Sequence, residues 1–178
     1  QIVIGELNEH TREADVSALL APVRDGKDIG LISEAGCPAV ADPGANLVAI
    51  AQREGIQVVP LVGPSSILLA LMASGLSGQN VDFHGYLPAK EEDRRKRLKA
   101  LENESRQARQ TQIFIETPYR NRQMLDTLLA ACAPQTRLCI ATDLSLASES
   151  VLTRNISGWQ KCEAPDFDRR PTVFLLQA

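Results

Sequence analysis

The sequence is poor in the residue types that most familiar catalytic and metal-binding sites require. Its 178 residues include only two histidines, and aromatic side chains make up 4% of the chain. A His-centred catalytic triad or a His-rich metal site is therefore not expected. The four cysteines have no Cys-x-x-Cys or Cys/His spacing of the kind that holds zinc, so we expect reduced thiols and no metal.

Long apolar runs are also missing. No stretch approaches the ~20 apolar residues that a membrane helix needs, and no secretory leader is visible. A net charge of −3 argues against a protein that holds a polyanion by overall positive charge. These absences predict a cytoplasmic protein with no membrane contact. The chain opens on Gln1 and runs at once into an apolar stretch, which suggests a piece of a longer protein.

Motifs for nucleotide hydrolysis, hydride transfer and α/β-hydrolase chemistry are absent. The sequence has no Gly-x-x-x-x-Gly-Lys-Ser/Thr loop, no Gly-x-Gly-x-x-Gly fingerprint and no Gly-x-Ser-x-Gly elbow. What remains is a ligand site built from backbone and small side chains. Such a site suits a cofactor that brings its own reactivity.

Short β-branched runs alternate with amphipathic runs along the chain, which is typical of α/β proteins. The pattern predicts a helix capped by Thr11 and a buried all-apolar helix over residues 67–72. A turn-rich linker near residues 76–81 places a domain boundary after residue 77. Strands are predicted over residues 28–33, 56–61, 111–116, 136–142 and 171–177 and through Phe83, and further helices over residues 46–54, 90–109 and 122–132.

Turn-rich loops follow several of the predicted strands, at residues 33–41, 63–66, 116–120 and 142–144. Ligands of open α/β sheets bind beyond the carboxyl ends of the strands. The loop EAGCPAVADPG exposes many main-chain groups and few long side chains, so a flat polar ligand could approach its backbone closely. The sequence therefore predicts that the ligand lies against these loops.

Four motifs occur together in one order: LISEAGCPAVADPG, VVPLVGPSSILLALMASGL, FHGYLP and IFIETPYR. They resemble the tetrapyrrole (corrin/porphyrin) methylase superfamily, nearest the branch that includes the ribosomal RNA small-subunit methyltransferase I. The family's first strand and its Gly/Pro-rich loop have no counterpart here. The resemblance implies two α/β domains, residues 1–77 with a mostly parallel sheet and residues 78–178 with a mixed sheet, and S-adenosylmethionine in the cleft between them.

The resemblance also implies which residues touch the ligands. Arg120 and His84 are candidates for substrate binding, although Arg120 could equally pair with a neighbouring acid and His84 could be a strand-end packing residue. Candidates for a catalytic base are Glu116, Tyr119 and Asp143. The implied cofactor contacts are Ser33, Glu34, Ala35, Gly36, Cys37, Pro38, Val40, Ala41, Gly63, Pro64, Ser65, Ser66, Glu116, Thr117, Ala141, Pro171, Thr172 and Val173.

By resemblance the protein is an S-adenosylmethionine-dependent methyltransferase and a homodimer. The acceptor stays open between ribosomal RNA ribose and a small molecule such as a tetrapyrrole. The alternative is a catalytically inactive cofactor-binding or protein-interaction module of the same fold, and the missing first segment would leave this piece without part of the active site. If RNA is the substrate, the basic stripe from Arg94 to Lys99 should contribute to a salt-dependent affinity.

Overall fold

The computed structural model describes residues 2–33, 36–163 and 165–178. The chain divides into two compact units, Gln1–Ser65 and Ser66–Ala178. Each unit has a hydrophobic core of its own.

Helices form the regular structure of the first unit. They are α1 (Glu13–Ala18), α2 (Ala21–Arg24) and α3 (Gly44–Arg53). Their apolar residues recur at helical spacing, so one face of each helix can be buried. The buried members of this core are Val16, Leu20, Leu47, Ile50 and Ala51.

The start of the first helix differs from the sequence prediction. α1 has Arg12 rather than Thr11 at its N-cap, and no side chain caps it. The Thr11 hydroxyl instead accepts a hydrogen bond from Asn8 N at 2.9 Å, inside the preceding turn. Gly26 and Gly55 follow α2 and α3 with φ of 79° and 69°, the left-handed conformation that commonly ends helices.

The strands predicted over residues 28–33 and 56–61 are wrong. Both segments are non-helical but unpaired, and residues 2–33 and 36–65 contain no strand, so the predicted parallel sheet of the first domain is not found there. Most of their apolar side chains are exposed, with Ile32 90% and Leu61 86% exposed, whereas Leu31 and Ile56 pack partly against the core of the first unit. β-branched composition favours extended backbone, but a ladder also needs a neighbouring strand about 4.8 Å away.

The second unit contains the mixed sheet that the sequence predicts for it. Its strands are β1 (Val81–Tyr86), β2 (Thr111–Ile115), β3 (Arg137–Thr142), β4 (Ser150–Asn155) and β5 (Thr172–Gln177), in the order β1-β2-β5-β3-β4. β1 pairs with β2 in parallel. β5 pairs antiparallel with both β2 and β3, and β4 pairs antiparallel with β3.

Helices cover both faces of this sheet. α4 (Ser66–Ser74) packs on one face, and α5 (Glu91–Ala108), α6 (Asn121–Ala131) and α7 (Ile156–Trp159) pack on the other. In the three central strands, β2, β5 and β3, alternate residues enter the two cores. In β3, for example, Leu138 and Ile140 belong to the core of α5 to α7, whereas Cys139 and Ala141 belong to the core of α4.

The helix α4 belongs to the second unit, whereas the sequence placed it before a boundary at residue 77. It packs on β3, β4 and β5, and the Thr153 hydroxyl donates to Ser74 O at 2.7 Å. Burial of this all-apolar helix is only partial, since Met72 is 80% exposed. In the part of the chain that the structure describes, no helix combines the length and apolar character that a membrane span requires.

Candidate functional site

The Asp42 carboxylate organises the loop that precedes α3. Its Oδ1 accepts hydrogen bonds from Ala39 N at 3.1 Å and from Gly44 N at 2.9 Å, and its Oδ2 accepts one from Ser33 Oγ at 2.8 Å. Burial acts to raise the pKa of Asp42, but these hydrogen bonds stabilise the charged form and hold the pKa below its ordinary value. The charged carboxylate thus ties both ends of the loop together.

The loop holds left-handed backbone at residues that rarely adopt it. Ala39 and Ala41 have φ of 66° and 53°, and Gly36 has φ of 90°. A left-handed non-glycine residue costs on the order of 1–3 kcal/mol, and such residues cluster at ligand sites. A further constraint lies at Gly44, where a Cβ atom would meet Leu31 Cδ2 at 2.8 Å and Ala39 N at 3.2 Å.

Two of the predicted cofactor loops meet within the first unit. The Cys37 thiol donates to Pro64 O at a sulfur–oxygen distance of 3.6 Å, which brings residues 36–41 beside residues 63–65. Main chain rather than long side chains dominates both loops, as the sequence predicts. Of the other implied contacts, Glu34 and Ala35 lie outside the described residues, and Ser66 opens α4 in the second unit.

Open space borders the loop on one side. A cavity of ≈ 350 Å³ in the first unit is lined by Ala41, Asp42 and Pro43, and by Asn8, Thr11 and Asn46 among other residues. The loop is therefore not plugged by packed side chains along this side.

A second group of predicted residues meets at one edge of the sheet in the second unit. Because β2 and β3 are both antiparallel to β5, their carboxyl ends lie at its amino end. The register pairs Ile115 with Val173 and Thr142 with Thr172. Glu116 and Thr117, Ala141 and Asp143, and Pro171 to Val173 are thereby brought together, and Asp143 N donates to Pro171 O at 3.0 Å.

Glu116 is a buried carboxylate at this edge. Its Oε1 accepts hydrogen bonds from Thr117 N at 2.7 Å and from Arg120 Nη2 and Nε at 2.6 and 3.0 Å. Its Oε2 is buried without a hydrogen-bond partner in the described structure. Arg120 therefore forms the structural ion pair with a neighbouring acid, which was one of the two alternatives for it.

Asp143 is held in a comparable way. It is 7% exposed, has φ of 52°, and its Oδ2 accepts hydrogen bonds from Ser148 Oγ at 2.8 Å and from Arg170 Nη1 at 3.4 Å. Tyr119 contrasts with both carboxylates, since it is 76% exposed in the short turn Pro118–Arg120. The three predicted base candidates thus differ sharply in their surroundings.

His84 lies in β1, and its ring bonds to neighbouring side chains. Its Nε2 bonds to Gln112 Oε1, and Arg97 Nη2 lies 3.3 Å from its Nδ1. Within β1, His84 lies between Phe83, which pairs with Ile113, and Tyr86, which pairs with Ile115, so it is level with the last residues of β2. The bonds of its ring to Gln112 and Arg97 agree with the packing alternative for His84.

Three residues that shape these sites were not singled out from the sequence. Asp42 had a signal, since Asp-Pro-Gly is a turn sequence in which the Asp side chain bonds to nearby backbone N–H groups. Asn121 and Arg170 had none, because the site residues to which they bond, such as Thr172 and Asp143, are more than 25 residues away along the chain. Among the residues described, no group of three or more His, Cys, Asp or Glu side chains could hold a metal ion.

The sequence profile of the tetrapyrrole (corrin/porphyrin) methylases matches residues 4–158. The chain belongs to this family. A curated relative, the ribosomal RNA small subunit methyltransferase I of Escherichia coli O157:H7, is 37% identical over 145 residues, which cover 82% of this chain and 49% of that protein. The protein of the same name from Xylella fastidiosa is 33% identical over 170 residues, covering 96% of this chain and 61% of that one.

Solved structures of methylases share the fold. The methyltransferase CobJ superposes with a TM-score of 0.64 at 17% identity, covering 94% of this chain and 72% of that chain. The uroporphyrin-III C-methyltransferase of Thermus thermophilus, solved with S-adenosylhomocysteine, superposes with a TM-score of 0.52 at 19% identity and covers 93% and 73% of the two chains. The present chain spans about half the length of the first curated relatives it matches.

Proposed function

We propose that the protein is an S-adenosylmethionine-dependent methyltransferase that holds its cofactor mainly by main-chain groups. The proposed contacts are those implied by the sequence: the loops at residues 33–41 and 63–66, and the sheet edge formed by Glu116, Thr117, Ala141 and Pro171 to Val173. The observation that carries the proposal is the meeting of the β2 and β3 carboxyl ends with the amino end of β5. Membership of the methylase family supports it.

The residues present suit such a cofactor. The 36–44 loop keeps two alanines in left-handed backbone and leaves its main chain beside open space. At the sheet edge, Glu116 Oε2 is a buried acceptor without a partner in the described structure, as expected where a ligand supplies the donor. The bound sulfonium would supply an already electrophilic methyl group. The protein's own task is then to hold the acceptor atom in line at about 3–3.5 Å and to exclude water.

The edge residues differ in what they can contribute. Glu116 and Asp143 are held by Arg120 and Arg170, and we assign both carboxylates to positioning the loops around the cofactor. The exposed hydroxyl of Tyr119 is the remaining candidate for a base towards a hydroxyl acceptor. The ion pair of Arg120 and the hydrogen bonds of the His84 ring weaken the prediction that these two bind substrate.

For the acceptor, we infer ribosomal RNA first and a tetrapyrrole-like small molecule second. Curated relatives at 33–38% identity are named ribosomal RNA methyltransferases, whereas the uroporphyrin enzyme is 19% identical. The predicted basic stripe is smaller than the sequence suggests. Arg94 is 2% exposed and bonds to Thr127 Oγ1 and Ala89 O, so Arg95, Lys96 and Lys99 carry what exposed charge remains there.

A cytoplasmic homodimer is part of the same proposal. The names of the relatives support a location beside ribosomal RNA, and all four cysteines are free thiols, as expected for a reducing compartment. Family resemblance supports the dimer. Light scattering of the purified protein should give twice the protomer mass. A mass equal to that of one protomer would contradict the proposed homodimer.

Methyl transfer from radiolabelled S-adenosylmethionine to small ribosomal subunits tests the proposed function directly. Label in ribosomal RNA supports the RNA acceptor, and label only in an added tetrapyrrole supports the second acceptor. Cofactor binding without transfer to either would favour the inactive module. The absence of cofactor binding would refute the proposal.

A further inference from the structure

Asn121 is the first residue of α6 and is completely buried. Its Nδ2 donates hydrogen bonds to Phe167 O at 2.8 Å, to Arg170 O at 2.8 Å and to Thr172 Oγ1 at 3.2 Å. One side chain thus connects the start of a helix to the whole segment that leads into β5.

The directions of these bonds are fixed by chemistry. Phe167 O and Arg170 O can only accept, so the amide must present its NH₂ group to them. The Thr172 hydroxyl lies 3.0 Å from Arg170 O and donates to it, so Thr172 Oγ1 accepts from Asn121. Thr142 Oγ1, at 3.3 Å, is then the donor to Thr172 Oγ1, which extends the network to the end of β3.

This arrangement carries a cost in stability. Two amide hydrogens are shared among three acceptors, and Asn121 Oδ1 is buried with no partner in the described structure. A buried acceptor without a hydrogen bond leaves the cost of its desolvation uncompensated. Residues that break a local rule at such a cost are typical of functional sites.

The segment that Asn121 holds is itself strained and carries a proposed ligand contact. Arg169 has φ of 59°, and its N–H donates to Pro118 O at 3.1 Å in the turn before α6. Pro171 follows, with its carbonyl held by Asp143 N at 3.0 Å. Since the strained backbone must be fixed by its surroundings, loss of the Asn121 bonds should release it.

We propose that Asn121 is a positioning residue of the cofactor site, which fixes residues 167–172 so that the main chain of Pro171 to Val173 is presented to the ligand. The inference rests on the proposed function, because the ligand of that segment is S-adenosylmethionine. The side chain of Asn121 acts through the segment and does not touch the cofactor.

The test compares Asn121→Asp with Asn103→Asp in the full-length protein. The carboxylate keeps the shape of the amide but cannot donate to two carbonyls, whereas Asn103 is an exposed residue of α5 and undergoes the same change. Titration calorimetry with S-adenosylhomocysteine, below the unfolding temperature of each variant, gives both Kd and stoichiometry. We expect Asn121→Asp to raise Kd about tenfold to a hundredfold at unchanged stoichiometry, and Asn103→Asp to leave Kd within about twofold.

The outcomes separate the inference from the proposed function. If the unaltered protein does not bind, the proposed function fails and the inference falls with it. If the unaltered protein binds and Asn121→Asp has the same Kd, the inference is overturned, whether or not the stoichiometry falls. Asn121 would then have a structural role only.

Should Asn121→Asp fail to fold, the smaller replacements Asn121→Ser and Asn121→Ala are tested by the same criterion. Each removes hydrogen bonds from the Asn121 side chain to residues 167–172. Hydrogen exchange adds a local readout, because the Arg169 amide should lose protection in a variant that releases the segment. Unchanged Kd in both variants would overturn the inference.

Discussion

Replacing Gly44 by alanine should destabilise the first unit, although a glycine at a helix is normally improved by this change. The new Cβ would lie 2.8 Å from Leu31 Cδ2, 2.9 Å from Asp42 Oδ1 and 3.2 Å from Ala39 N. The Leu31 methyl can rotate away. The other two atoms belong to the hydrogen-bonded loop and cannot both retreat while Asp42 still accepts from Ala39 N and Gly44 N.

The magnitude follows from opposing terms. Forcing a methyl group into a packed position costs about 1–3 kcal/mol, and weakening one hydrogen bond of Asp42 adds about 1 kcal/mol. Alanine gains at most about 1 kcal/mol over glycine in a helix interior, and less at the first position of α3. We therefore expect a net loss of about 1–3 kcal/mol in the free energy of unfolding.

Urea unfolding of the Gly44→Ala and Gly30→Ala variants measures this loss. Gly30 lies in the same unit and nothing would lie within 4 Å of its Cβ, so its replacement should change stability by no more than about 0.5 kcal/mol. The Gly44 variant should also bind S-adenosylmethionine more weakly. A Gly44→Ala protein as stable as the unaltered one would refute the account of this loop.

Three further results are expected. The Asp42→Asn variant should be less stable than the unaltered protein at neutral pH, and the difference should vanish in acid titration, because the stabilisation is complete above the ordinary pKa of 3.8 and is lost as the pH falls through the lower folded value. Burial, with the nearby Glu102 carboxylate, raises the pKa of Cys132 to about 12, so mass spectrometry after brief alkylation should find Cys37 modified and Cys132 protected until unfolding. Arg94→Ala should lower the free energy of unfolding by about 2–3 kcal/mol, whereas Arg95→Ala should change it by less than about 0.5 kcal/mol, as checked by urea denaturation.

Most helices and strands of the second unit could be predicted from the pattern of apolar and polar residues along the chain. Continuous apolar runs in β3 and β5 predict strands buried on both faces, and the strands lie where they were expected. β4 was missed because it is an edge strand with mostly exposed, polar residues and no apolar alternation. Composition alone carries little signal for such a strand.

The first unit shows the limit of the same reasoning. Residues 28–33 and 56–61 include several β-branched residues, which favour extended backbone. A strand forms only when a second backbone lies beside it, and that pairing depends on residues far away along the chain. The candidate site divides in the same way. Loop residues such as Gly36 and Pro64 followed from turn chemistry and resemblance, whereas Asn121 depends on partners up to 51 residues away.

Titration calorimetry of the full-length protein and its Gly36→Trp variant with S-adenosylmethionine tests the central claim most directly. Gly36 has φ of 90° in the proposed cofactor loop, and an indole there would be strained and would cover the main chain. The account predicts binding at one site per protomer in the unaltered protein and at least about a tenfold weaker affinity in a variant that still unfolds cooperatively. No binding by the unaltered protein, or equal affinity in both proteins, would contradict it.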